Sequence, residues 1–150
     1  MRLVAAMLAA AVLMAGGSAI FAHQAHEHAT RVVKERMDLM ESMAKAQKAI
    51  SQRLKARRDL ELVKADARSI RELAAKIPSL FPPGSREHPS EAKAAIWQNW
   101  PDFEKKARAV EAESEKLAAT EARDVKALTA QARALTDACG ACHELYRAKK

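Results

Sequence analysis

The chain is short of the residues that build sheets and turns. Its 150 residues hold four glycines, three Phe, two Trp and one Tyr. That shortage, beside abundant Ala, Leu, Lys, Arg and Glu, favours helices over sheet. Aromatic residues make up only 4% of the chain, so a core of alanines and a few branched side chains would be thin. No long run of positive charge is evident either. The formal charge is +7, but the basic residues alternate with Glu and Asp along the helical stretches. That pattern reads as a solvated surface rather than a nucleic-acid site. A basic surface of this kind steers toward acidic redox partners or anionic lipid. Cysteine is the scarcest signal, with Cys139 and Cys142 the only two.

Those two cysteines stand in Cys139-Gly140-Ala141-Cys142-His143. The C-x-x-C-H pattern is the signature of covalent c-type haem attachment. On a helix, residues three and four apart share a face. Two thiols can then bond the haem edge while the imidazole of His143 reaches the iron. Both cysteines would be consumed as thioethers, and a buried haem would supply much of the missing core volume. The rival readings are a redox dithiol and half of a zinc site. The first expects a βαβ context that the chain lacks, and the second needs further ligands.

At the other end, Met1-Arg2 precedes an apolar run from Leu3 to Ala15 and then Gly16-Gly17-Ser18-Ala19-Ile20-Phe21-Ala22. This reads as a secretory signal peptide over residues 1–22, cleaved after Ala19 or, preferably, Ala22. The alternative, an uncleaved anchor from Leu3 to Ala22, is weakened by the two glycines and Ser18. His23, His26 and His28 follow. They could bind copper or zinc or offer the haem another ligand, but a solvated chain end is the simpler reading.

Residues 23–150 read as one all-α domain. A first helix from about Ala29 to Leu54 carries Val33, Arg36, Met40, Met43, Gln47, Ile50 and Leu54 along one seam. Asp59 is a plausible N-cap for a second helix with Leu60, Val63, Ala67, Ile70, Ala74 and Ile77 inside, stopped by Pro78. A long crossover from Pro78 to Pro101 holds both tryptophans, an exposed His88, and a short helix from Ser90 to about Trp97. So aromatic a crossover should lie on an apolar surface, either the haem edge or the bundle end. The third helix opens at Pro101 and Asp102, with Phe103, Ala107, Val110, Ser114 and Leu117 inside. Thr120 or Asp124 caps the fourth, whose seam of Val125, Leu128, Ala132 and Leu135 runs into Cys139 and Cys142. Four such helices predict an antiparallel up-down four-helix bundle with the haem in its core.

Four stretches resemble the cytochrome c′ family, the class II cytochromes c. They are Arg36-Met37-Asp38-Leu39-Met40, Phe81-Pro82-Pro83-Gly84-Ser85, Ile96-Trp97, and Cys139 to His143 with Glu144-Leu145-Tyr146-Arg147 after it. The resemblance implies one covalent haem c on Cys139 and Cys142, His143 as the proximal iron ligand, Arg36 toward a haem propionate and Met40 on the distal side. It also implies a homodimer, although no patch in the sequence specifies one. The chain departs from the family in lacking a glycine-containing turn between the third and fourth helices.

The sixth iron position separates two functions. A thioether from Met40 suits a low-spin iron and one-electron transfer with periplasmic or membrane-bound redox proteins. Met40 as mere packing would leave an open site for nitric oxide or carbon monoxide. Met43, on the same seam, is the backup ligand; Met37 is displaced from it. For Arg36 the alternatives are snorkelling to solvent and pairing with a propionate, since an arginine on a seam needs an anion. The expected protein is a periplasmic electron carrier and not an enzyme.

Overall fold

The computed structural model describes residues 17–149, with side chains for 31–149. The main elements are α1 (Gly17–Ala56), α2 (Leu60–Ala74), α3 (Ala95–Gln98), α4 (Trp100–Ala119) and α5 (Val125–Tyr146), with a 3₁₀ turn at Pro78–Leu80. No strand occurs among the described residues; one isolated bridge joins Ala92 to Arg147. Helices α1, α2, α4 and α5 form the bundle. Successive long helices pack against each other along their lengths, whereas α1 and α5 touch sparsely.

The seams read from periodicity are the buried faces. Val63, Ala67, Ile70 and Ala74 are inside on α2, and Phe103, Ala107, Val110, Ser114 and Leu117 on α4. Each large apolar side chain so buried contributes about 1.5–3 kcal/mol. Ser114 is fully buried and satisfies its hydroxyl by donating to the Val110 carbonyl at 2.7 Å. The seams of α1 and α5 are less closed. Met40, Gln47 and Leu54 on α1, and Ala132, Cys139 and Cys142 on α5, are only half-buried. The bundle is therefore most open where these two helices face each other.

Helix α1 begins twelve residues before the expected start at Ala29. Nothing from Ser18 to Ala29 breaks a helix, since neither proline nor glycine occurs there. The expected cleavage points Ala19 and Ala22 fall in its opening turns; residues 1–16 of the expected leader lie outside the described residues, as do the side chains of His23, His26 and His28. Among the described residues no helix is long and apolar enough to cross a membrane.

The corner between α1 and α2 is tighter than expected. Arg57 takes a left-handed φ of 51°, and the Arg58 amide donates back to the Arg53 carbonyl at 3.3 Å. This closes the helix as glycine normally does, but with an arginine. Asp59 occupies the N-cap position of α2 in a left-handed conformation and makes no side-chain cap bond. Its carbonyl accepts from the Leu62 amide at 2.9 Å instead. Between α4 and α5 it is Asp124 that caps, accepting from the Ala127 amide at 2.9 Å, while Thr120 ends α4.

The crossover packs on the bundle end. Phe81 meets Phe103 edge-on at 4.8 Å, and Phe103 meets Tyr146 at 5.4 Å. Trp97 donates its indole N–H to the Phe81 and Pro82 carbonyls at 3.0 and 3.1 Å. The short helix starts at Ala95 rather than Ser90. Ser90 has its hydroxyl engaged by Arg36, and the Lys93 amide is drawn to the Tyr146 carbonyl at 2.9 Å.

Candidate metal centre

Helix α5 carries Cys139 and Cys142 as free, half-buried thiols packed against the core. Burial pushes both above the ordinary thiol range, Cys142 to about 11. Lys106 opposes the shift at Cys142, while Cys139 and Asp102 add to it. These protonated, apolar-packed thiols do not resemble the low-pKa, electropositive setting of a reactive dithiol. His143 lies one position on, on the exposed flank of the helix. Partial burial and the positive Arg147 lower its pKa, and Glu91 opposes them. Among the described residues no group of three or more His, Cys, Asp or Glu is placed to hold a metal ion. A zinc site around Cys139 and Cys142 therefore has no further ligands there. The donor set of two unpaired thiols on one helix face, followed by an imidazole, fits a covalently attached haem.

Across the opening, α1 presents Met40. It is half-buried and packed against the core, whereas Met43 is 8% exposed and Met37 is 45% exposed. The two helices are pinned together by Gln47, whose amide donates to Thr136 Oγ1 at 3.2 Å and approaches Cys139 Sγ at 3.9 Å. The helices run antiparallel, so equal steps from this bond reach equal heights. Met40 is seven residues before Gln47 and His143 is seven after Thr136, each about 10.5 Å along its axis. Counted from Thr136, Met40 comes level with His143 and Met43 with Gly140; counted from Cys139, which the same amide approaches, Met40 comes level with Tyr146 and Met43 with His143. Both methionines therefore lie within about a turn of His143 along the seam.

Arg36 is 5% exposed and does not snorkel. Its guanidinium donates to the Leu80 carbonyl at 2.9 Å, the Ser85 carbonyl at 3.1 Å, Ser90 Oγ at 2.9 Å and Ser85 Oγ at 2.6 Å. It also lies 3.9 Å from the Phe81 ring centroid, in cation–π contact. Four of its five N–H groups are therefore spent on the crossover. Burial lowers its pKa to about 10 despite the charge of Glu87, whose Oε2 is buried without a hydrogen-bond partner.

The site residues expected from the sequence thus fall into two groups. Met40, Cys139, Cys142 and His143 lie on the facing helices α1 and α5. Arg36 lies on the crossover side of the same region. Three contributors were not singled out from the sequence: Gln47 with Thr136, the Asp102–Lys106 pair beside Cys142, and Tyr146, which donates to Asp102 at 2.7 Å. Gln47 had a visible signal, as a polar residue on an otherwise apolar seam. The Tyr146 bond had none, because its partner lies 44 residues away.

A four-helix bundle with a C-x-x-C-H motif on its last helix defines a c-type haem protein. The chain belongs to the Cytochrome C' family, which it matches over residues 31–147. As a family member it carries one covalently bound haem c. It is similar to "Cytochrome c-556" of Agrobacterium tumefaciens (strain II Chrys), with 44% identity over 92 residues, 61% of this chain and 75% of that protein. Among solved structures it is similar to a cytochrome c' with an unusual ligand-controlled dimer dissociation. The TM-score there is 0.75 with 26% identity, covering 81% of this chain and 97% of that one. It is also similar to the nitric oxide complex of a mutant cytochrome c prime from Alcaligenes xylosoxidans. There the TM-score is 0.73 with 28% identity and the same coverage.

Proposed function

We propose that the protein is a periplasmic one-electron carrier, in which His143 and Met40 would ligate the haem iron and Cys139 and Cys142 would hold the porphyrin as thioethers. The observation that carries this reading is the half-buried Met40 on α1, within about a turn of His143 along the seam where Gln47 reaches Thr136 and Cys139 on α5. The bound haem supplies a single-electron couple. The chain's part is to fix both ligands on rigid helices, so that little moves when the charge changes. The half-buried thiols and apolar neighbours keep water from the covalent edge. Arg36 takes one remaining N–H toward a propionate while its other donors brace the crossover. No substrate is transformed. Residues 1–22 direct export and are removed after Ala22.

A second reading is a high-spin, gas-binding protein. It is supported by the half-exposed position of Met40 and by the similarity to a nitric oxide complex. The optical spectrum of the purified holoprotein decides between them. A low-spin ferric spectrum with a weak far-red sulfur-to-iron band, unchanged by carbon monoxide on reduction, supports electron transfer. A high-spin spectrum that shifts with carbon monoxide makes Met40 a packing residue. The similarity to a cytochrome c' that undergoes dimer dissociation makes a homodimer the assembly to test by sedimentation.

A further inference from the structure

The alternation of charge breaks down over residues 42–58. This stretch holds Lys45, Lys48, Arg53, Lys55, Arg57 and Arg58 and no acid. The facing part of α5, residues 125–136, holds Lys126 and Arg133 and again no acid. Elsewhere on the bundle some cations are matched along their own helices, as in Arg31–Glu35, Lys34–Asp38 and Arg108–Glu104, while others such as Arg68 and Lys105 stand singly on separate helices rather than around one groove. Arg53 is paired with Asp66 on α2. Lys55, Arg57, Lys126 and Arg133 have no carboxylate partner among the described residues.

These four line one groove. It opens between α1 and α5 as two adjoining cavities of about 440 and 620 Å³ that share Arg57, Thr129 and Arg133. Its floor is apolar, lined by half-buried Leu54 and by Leu135, which is itself buried. Arg57 is held there at a backbone cost. Its φ of 51° is one that glycine adopts without strain and an L side chain rarely adopts. The groove also reaches the cofactor's attachment point. Gln47 and Thr136 line its upper end, and Gln47 touches Cys139 Sγ.

We propose that this groove is the docking site for an acidic face of a protein redox partner, whose protruding carboxylates enter between α1 and α5 within a turn of Cys139. This rests on the electron-carrier reading and gives it a surface. The occupant follows from charge and shape. An acid-free rim attracts carboxylates, and a concave cleft with an apolar floor admits side chains that a planar bilayer surface does not present. Such fields raise association rates severalfold or more and fade with salt.

The test uses poly-L-glutamate as the acidic probe and the intact holoprotein. Calorimetry should show binding that weakens about tenfold in Arg57→Glu/Arg133→Glu and with rising salt. It should not weaken in Arg68→Glu/Lys105→Glu, which changes net charge equally on α2 and α4. Arg57→Gly/Arg133→Gln neutralises the same two cations without reversing them, half the charge change, while easing the corner, and should lose affinity in the same direction but less. A parallel readout is oxidation of the ferrous protein by hexacyanoferrate(III). One electron passes to it, giving hexacyanoferrate(II) and ferric protein, and the rate should fall with the groove variants alone. Equal losses in groove and control variants, or no binding by the unaltered protein, overturn the proposal. Loss of binding to phosphatidylglycerol vesicles with poly-L-glutamate affinity unchanged overturns it in favour of a membrane surface. Failure of the electron-carrier reading shows separately, as a carbon monoxide shift with groove binding intact.

Discussion

Gln47 on α1 and Thr136 on α5 share a 3.2 Å hydrogen bond across the most open seam of the bundle. The same amide approaches Cys139 Sγ at 3.9 Å, so this contact brings the antiparallel helices into register to within about a turn, and Met40 and Met43 both fall near the level of His143. The two methionines differ in burial: Met40 is half-buried at the opening, and Met43 is 8% exposed.

That difference separates two substitutions. Met40→Ala should abolish the low-spin spectrum and open the ferrous iron to carbon monoxide. Because Met40 is only half-buried, its loss should cost about 2 kcal/mol or less. Met43→Ala should do the reverse. Met43 is 8% exposed, so its loss should cost about 2–3 kcal/mol in urea unfolding and leave the spectrum intact. Spectra that change with Met43 and not with Met40 would shift ligation by one turn.

Arg36 offers a second separation. Its four hydrogen bonds tie α1 to Leu80, Ser85 and Ser90. Arg36→Leu leaves those buried acceptors unmatched and should cost about 3 kcal/mol, with faster proteolysis in the Pro78–Pro101 crossover. Arg36→Lys keeps a charge but not the planar fork. If Arg36 also serves a haem propionate, the redox potential should move further in Arg36→Leu than in Arg36→Lys. A potential that stays put in both variants, with stability lost, would make Arg36 a brace for the crossover and nothing more.

The proposed leader over residues 1–22 makes a simple prediction. Mass spectrometry of protein recovered from the periplasm should find His23 at the N-terminus, and the mass should include one covalent haem that survives acid-acetone extraction. Ile20 at the N-terminus would place cleavage after Ala19. Retention of Met1 in a membrane fraction would restore the anchor.

The residues that periodicity could reveal were those whose neighbours lie on their own helix. The α2 and α4 seams from Val63 to Ala74 and from Phe103 to Leu117 needed only steps of three and four. Cys139, Cys142 and His143 stand out in the sequence for the same reason, since the C-x-x-C-H spacing is itself the signature of haem attachment. What the sequence could not show was how separate segments meet. The short helix expected from Ser90 does not start there, and the Ser90 hydroxyl is taken by an arginine 54 residues earlier. Asp59 looked like a side-chain cap, but a left-handed backbone at Arg57 and Asp59 reshapes the corner. The partner of the aromatic crossover was hidden for the same reason: Phe81 and Trp100 pack on Phe103 of α4, and Trp97 bonds back to the Phe81 carbonyl. The groove beside α5 was hidden too, because its cations come from stretches about 70 residues apart.

Tyr146 gives the last prediction, and it concerns pH. It is the only tyrosine in the chain, buried at 5% exposure, and its hydroxyl donates to Asp102 Oδ2 at 2.7 Å. Burial, that hydrogen bond and the negative Asp102 push its pKa up to about 12 from an ordinary 10.0. In the unfolded chain the phenol loses its proton near 10, while the folded protein keeps it to about 12. The unfolded state therefore binds fewer protons in that window, and stability must fall as pH rises through it. The contribution is whole below pH 10 and gone above about 12. Tyr146→Phe removes the hydrogen bond and should cost about 1–2 kcal/mol at neutral pH. It should also flatten the decline between pH 10 and 12, measured by urea unfolding at stepped pH, with phenolate absorbance reporting the titration directly. If the variant declines as steeply as the unaltered protein, the alkaline loss belongs to other groups. The Tyr146–Asp102 bond would then hold α5 to α4 without coupling their packing to pH.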